Sequence, residues 1–318
     1  MTRPSLAPIL AIAVMAVLAV LPMLTASNYL ISIAIAGLIF LTAAAALNLI
    51  YGFAGLLSFA QLGFWGVGGY GAAIMVMDYG RSFWEGLVAA AVLSLMLSFV
   101  VGYAIIRTTR HAFVVVTLTF ALLAALIARD WVEVTRGPLG IPGLPPPRLF
   151  GFVFDTPSRF YYIAFAFAAA SLAFLYALGT SRIGLLLKAL KQNDVLLRSQ
   201  GIDPGPYRLA AFVIAGVLTG IAGGIFAFHL KVIDPSFLDF YYMQTFLIIV
   251  IIAGPGSFWG VLIAGAVMVA LPEVLRFSNE LRMVIYGFIL VATMMLMPRG
   301  VAGWLDDRRI AALRRSLR

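Results

Sequence analysis

The amino-acid sequence predicts an all-α polytopic membrane protein of about ten transmembrane helices, and three observations predict it. Of its 318 residues, 63% are hydrophobic and 11% charged, whereas a soluble domain is about half apolar and about a quarter charged. The apolar residues fall into runs near the length that crosses a bilayer, roughly 17 to 25 residues. The charges gather in the gaps between those runs, too few and too clustered to give a globule a polar exterior. Lipid must cover the rest.

The runs occupy 6–24, 29–50, 55–77, 86–106, 112–128, 161–178, 209–230, 240–253, 258–275 and 281–297. The first follows Arg3 as a signal peptide would, but it is longer than a signal core and another apolar run comes at once, so it reads as a retained span. The eighth is short and stops at Gly254-Pro255-Gly256. Basic loops stay cytoplasmic. With the N-terminus inside, ten spans place 14 of the 22 basic residues inside: Arg3, Arg107, Arg110, five within 180–208 and six within 298–318. Nine of the 13 acidic residues fall outside. Both termini are then cytoplasmic.

The expected organisation is a single transmembrane domain, 1–318, with a first half of about 1–128, an outer loop at 129–160 and a second half of about 161–297. A cytoplasmic segment covers 180–208 and a tail 298–318. Two halves of five spans enter the membrane in opposite senses, which is the arithmetic of a 5+5 inverted repeat. The sequence trace of such a repeat is short: Phe64-Trp65-Gly66 recurs as Phe258-Trp259-Gly260.

Several function classes fall away. The net charge of +9 is spread over loops instead of forming a basic patch with interleaved aromatics, which speaks against nucleic acid as a partner. With no cysteines and only His111 and His229, no metal site can be assembled with confidence. No carboxylate lies near the middle of a span, which argues against proton or sodium coupling. No phosphate-binding loop or dinucleotide fingerprint is present, so no cofactor is implied and any ATP is handled by another protein. No catalytic residue is assigned. The nearest acidic grouping, Asp234, Asp239 and Glu273, is what an enzyme reading would rest on.

Seven glycines lie between 52 and 71, together with Ser58 and Gln61. Two readings are open: tight helix packing through residues such as Gly63 and Gly66, or a broken or re-entrant helix whose freed backbone lines a polar cavity. A matching break is expected near 254–260. Gly216, Gly220 and Gly224 recur every fourth residue, the spacing of a close helix contact. Asn48, Ser58, Gln61, Gln244 and Ser257 are the candidate lining of a translocation pathway. Each could equally satisfy an interhelical hydrogen bond.

Between the sixth and seventh runs, Ile183, Leu186, Leu187, Leu190 and Leu197 fall at helical spacing on one face, with Lys188, Lys191, Gln192 and Arg198 elsewhere. Gly201, Pro204 and Pro206 end the pattern. An amphipathic cytoplasmic helix is expected, and composition leaves bilayer surface and partner docking equally open.

Leu47-Asn48-Leu-Ile-Tyr-Gly-Phe-Ala-Gly-Leu-Leu-Ser58, Leu187-Lys188-Ala189-Leu190-Lys191-Gln192-Asn193-Asp194 before Gly201-Ile202, Tyr207-Arg-Leu-Ala-Ala-Phe212 with Ala222-Gly223-Gly224, Leu271-Pro272-Glu273 and Pro298-Arg299-Gly300 occur in order. Over roughly 30–304 the chain resembles the LivM-like permeases of branched-chain amino-acid ABC importers. The resemblance implies a permease subunit of the bacterial inner membrane that moves branched-chain or related small amino acids by alternating access. It implies as partners a homologous second permease, two cytoplasmic ATP-binding subunits and a periplasmic solute-binding protein. Ile183, Leu186, Leu187, Lys188, Leu190, Lys191, Asp194, Leu197 and Gly201 would belong to the ATPase-coupling helix. Before Gly201 the run Val195-Leu-Leu-Arg-Ser-Gln200 is more apolar and basic than the family pattern. A permease for urea or amides and an ion-coupled secondary transporter are the alternatives.

Overall fold

The computed structural model describes residues 18–23, 27–105, 108–149, 151–274 and 295, and its architecture is helical. Most of the first run, nearly all of the tenth and the tail 298–318 lie outside the described residues. Helix α1 spans Asn28–Asn48 behind an N-cap at Ser27, whose Oγ accepts from the Leu30 N–H at 3.5 Å. It runs on into a π-helical turn, Leu49–Phe53. Helices α2 (Ala60–Met77), α3 (Phe83–Ile105) and α4 (Arg110–Asp130) follow, and α4 is capped by the Thr109 hydroxyl. A short α5 (Val132–Thr135) opens the outer loop.

In that loop β1 (Ile141–Pro142) pairs with β4 (Val232–Ile233), and β2 (Arg148–Leu149) with β3 (Phe152–Val153), both antiparallel. Helix α6 (Pro157–Thr180) leads to α7 (Arg182–Gln192) and α8 (Asp194–Ser199). Helix α9 (Pro204–Leu230) starts with Pro204 at its first position and the Asp203 carboxylate capping Gly205, a start for which proline is preorganised. Helices α10 (Phe240–Ala253) and α11 (Phe258–Val274) complete the described chain.

Among the described residues six helices are long and apolar enough to cross a membrane. The chain is therefore an all-α, multi-pass membrane protein. Helices α2 and α9 form its centre. A Cβ on Gly68 would stand 2.0 Å from the Gly220 carbonyl oxygen, and one on Gly223 would stand 2.1 Å from that of Trp65, so the two backbones touch. Trp65 is fully buried and stacks on Phe237 with ring centroids 5.3 Å apart, within a set of rings that includes Phe40, Phe226, Tyr242 and Phe246. By contrast α3 and α4 turn Val88, Met96, Val100, Leu122 and Leu126 outward. Exposed leucine and valine on a spanning helix face lipid or another chain.

Two expectations are corrected in extent. The break in the glycine-rich stretch covers residues 54–59 and not 52–71, because α2 is regular from Ala60 and its glycines serve packing. In the second half, residues 254–257 are non-helical and 258–260 already belong to α11. The cytoplasmic amphipathic helix is likewise two helices. Asn193 is extended, with φ −156° and ψ 103°, and its Oδ1 accepts from the Val195 and Leu196 N–H groups at 3.0 and 3.1 Å. An asparagine cap of this kind starts a new helix in a new direction.

Candidate functional site

The backbone after Phe53 dips back among the helices. The Phe59 N–H donates to the Thr117 hydroxyl at 3.2 Å, and that hydroxyl donates in turn to the Val114 carbonyl at 2.9 Å. Thr117 lies about 10 Å along α4 from its start at Arg110, at 1.5 Å rise per residue, so non-helical chain reaches well inside the bundle. Such backbone is tolerated at depth only when protein satisfies its polar groups.

Residues 254–257 meet the end of α1 and its π turn from the other half of the chain. Asn48 joins them: its Oδ1 accepts from the Gly256 N–H at 2.9 Å and its Nδ2 donates to the Ser257 carbonyl at 3.4 Å. Gly52 allows the approach, since a Cβ there would stand 2.3 Å from the Gly256 nitrogen. The cavity beside Asn48, bounded by Phe53, Leu175, Phe258 and Val261 among others, has a volume of ≈ 10 Å³. That is space for about one water molecule.

Of the five candidate pathway residues, the structure unites Asn48 and Ser257 directly. The Ser257 hydroxyl also caps α11 by accepting from Gly260 N–H at 3.0 Å. Ser58 and Gln61 are fully buried one turn apart at the start of α2. The Gln61 Oε1 stands 2.5 Å from the Thr219 hydroxyl of α9, while its Nε2 has no partner among the described residues. Gln244 is half-buried on α10 and makes no hydrogen bond to the other four among the described residues. Of the glycines, Gly220 abuts Ser94 of α3, Gly216 lies against Ser98 and Phe64, and Gly224 against Leu87. Gly63 lies against Phe120, and Gly66 against Leu238.

Helices α7 and α8 carry two faces. Leu187 and Leu190 are fully buried in the chain's own core, Leu197 is buried and Leu186 half-buried, so these four leucines are spent inside the subunit. The face left outward is Ile183, Leu185, Val195 and Leu196, the last two 75% and 57% exposed. Asp194, first residue of α8, pairs with Arg208 of α9 and lies 3.9 Å from Arg110 of α4, which pins α8 to the bundle. Gly201 takes φ +79°, and the Ile202 N–H reaches back to the Leu197 carbonyl at 3.1 Å, closing α8 as a left-handed C-cap does.

The lysines of α7 turn inward. The Lys188 ammonium sits 4.7 Å above the Phe53 ring, and Lys191 Nζ donates to the Gly52 carbonyl at 2.9 Å and the Pro255 carbonyl at 3.3 Å. Burial pulls the Lys191 pKa below the usual lysine range. Sequence reasoning placed both lysines on a polar face without a partner. The only signal was their spacing beside the leucines, which cannot name a carbonyl from 139 residues away.

Comparison with known proteins adds an independent line. Residues 29–294 match the family described as branched-chain amino acid transport system / permease component. The high-affinity branched-chain amino acid transport system permease protein LivM of Salmonella typhimurium is 29% identical over 294 residues, covering 85% of this chain and 69% of the relative. LivM of Escherichia coli shows the same identity and coverage. A probable branched-chain amino acid transport permease protein LivH of Methanocaldococcus jannaschii is 26% identical over 141 residues, 41% of this chain and 44% of the relative. No solved structure matches.

Proposed function

The chain belongs to the family of permease components of branched-chain amino acid transport systems, and on that premise we propose that it is the membrane subunit of an ATP-driven importer of branched-chain or related small amino acids. It sits in the bacterial inner membrane with both termini cytoplasmic, in about ten spans arranged as a 5+5 inverted repeat. A second, homologous permease completes the pathway, a periplasmic solute-binding protein delivers the solute, and two cytoplasmic ATPases supply the energy. Alternating access moves the junction of residues 48–53 and 254–257 between shut and open, with Asn48, Ser58, Gln61, Gln244 and Ser257 beside the path. Neutral amides and hydroxyls suit brief contact with a zwitterion, because they bind it without holding it.

The observation that carries the reading is the pair of faces on α7 and α8. Their buried leucines fix them to the bundle, and Ile183, Leu185, Val195 and Leu196 are left as exposed apolar side chains in a basic cytoplasmic segment. An apolar patch with a polar rim fits a protein groove.

Co-purification from native membranes tests this. Two ATPases and a second permease should accompany the intact chain, and the ATPases should be lost when Val195 and Leu196 are both changed to Asp while the chain stays folded. Absence of any ATPase in gentle detergent would sink the importer reading. Leucine uptake that collapses under proton and sodium uncouplers with ATP maintained would favour an ion-coupled transporter.

A further inference from the structure

We propose that Lys191 is the positioning residue that couples the ATPase-facing helices to the permease junction, by bridging the end of one broken helix and the turn after the other with a single ammonium group. The inference rests on the permease reading above and adds to it the atom through which motion is passed. Gly52 lies in the last turn of the π-helical end of α1, and Pro255 lies just beyond the last residue of α10. Helix C-termini expose unsatisfied carbonyls and carry partial negative charge. Lys191 Nζ donates at 2.9 Å to the Gly52 carbonyl at the first of these ends and at 3.3 Å to the Pro255 carbonyl in the turn that follows α10.

The side chain that does this belongs to α7, on the partner-facing segment, and not to either broken helix. Its stem fills the space that Gly55 leaves free: a Cβ there would come within 2.8 Å of Lys191 Cγ. Lys188, one turn earlier, holds the neighbouring Phe53 ring, and Phe53 in turn packs against Gly179 of α6. No carboxylate pairs with Lys191 among the described residues. The contact is therefore strong enough to hold the shut junction, because hydrogen bonds to a charged donor exceed neutral ones. It is also free of a fixed counter-charge that would make release costly. A shift of α7 by the ATPases withdraws the ammonium from both carbonyls together. The two segments then keep the Asn48 bridge and lose the Lys191 one, and part more readily.

The chain has no cysteines, so a single Ser257→Cys substitution reports on the junction through its reaction rate with a maleimide added from the cytoplasmic side. In the full complex, Lys191→Met should speed that labelling by about tenfold, the scale of one lost charge-assisted hydrogen bond. Leucine imported per ATP hydrolysed in proteoliposomes should fall by a similar factor. Lys191→Arg, which keeps charge and donors, should restore both readouts towards the parent values. Unchanged labelling and unchanged uptake per ATP in Lys191→Met would overturn the proposal, as would equal defects in the Met and Arg variants. If Lys191→Met fails to assemble, Lys191→Gln, which keeps a donor without charge, takes its place under the same criteria. The unsubstituted complex separates the two claims: absence of ATP-dependent leucine uptake there defeats the permease reading, while the labelling arm still decides the latch.

Discussion

The crossing of α2 and α9 and the junction of residues 48–53 with 254–257 solve the same problem in different ways. At the crossing, Gly68 faces Gly220 and Gly223 faces Trp65 with no side chain between, so contact is backbone on backbone. At the junction Gly52 and Gly256 also lie close, and polar side chains bridge to carbonyls and an N–H: Asn48 to Gly256 and Ser257, Lys191 to Gly52 and Pro255. Close packing has one geometry and resists displacement. Polar bridges can be exchanged one for another or for water, so the junction is held less rigidly than the crossing.

The contrast can be broken most severely at the crossing. Gly68→Val should cost about 3 kcal/mol, the upper range of overpacking, because the added carbons meet the Gly220 backbone, which cannot rotate away as a side chain would. A large drop in thermal unfolding temperature in detergent is the expected reading. Asn48→Ala should cost about 1 to 2 kcal/mol by leaving the Gly256 N–H and Ser257 carbonyl without their bridge, and amide exchange at Gly256 should quicken while α2 and α9 stay protected. Thr219→Val sharpens the comparison from within the core. It removes the hydroxyl beside Gln61 and should cost about 0.6 kcal/mol, the usual worth of an interhelical hydrogen bond in a membrane. Smallest in stability is Val195→Asp with Leu196→Asp, within about 0.5 kcal/mol as for other exposed positions. A large loss of stability there would show that this face is packed in the isolated subunit and not reserved for a partner.

Much of the helical content was legible because apolar run length is a direct consequence of bilayer thickness. The run read at 240–253 coincides with α10, and those at 29–50, 112–128 and 161–178 fall inside α1 with its π turn, α4 and α6. The third run was read too long at its start, since glycine composition signals a weak helix without saying where the weakness is used. The split at Asn193 was also missed: a cap is recognised only once the chain has turned there. For the site, polarity alone picked out Asn48 and Ser257, which do meet. Lys191 was named with the cytoplasmic helix, but periodicity placed it on an outward polar face.

What the sequence determined by itself is the solvent and the class: residues this apolar, in runs of this length with basic gaps, can only be helices in a membrane, because lipid supplies no hydrogen bonds to any other backbone. Its ordered motifs also carried the family. What tertiary structure alone decided is which polar group serves which break. Asn48 and Gly256 are 208 residues apart and Lys191 and Gly52 139, and no local pattern encodes a contact between groups that distant. Only the packing of α7 against the π turn of α1 brings an ammonium to carbonyls from both halves, and the packing of α7 and α8 decides which leucines are buried and which side chains stay exposed.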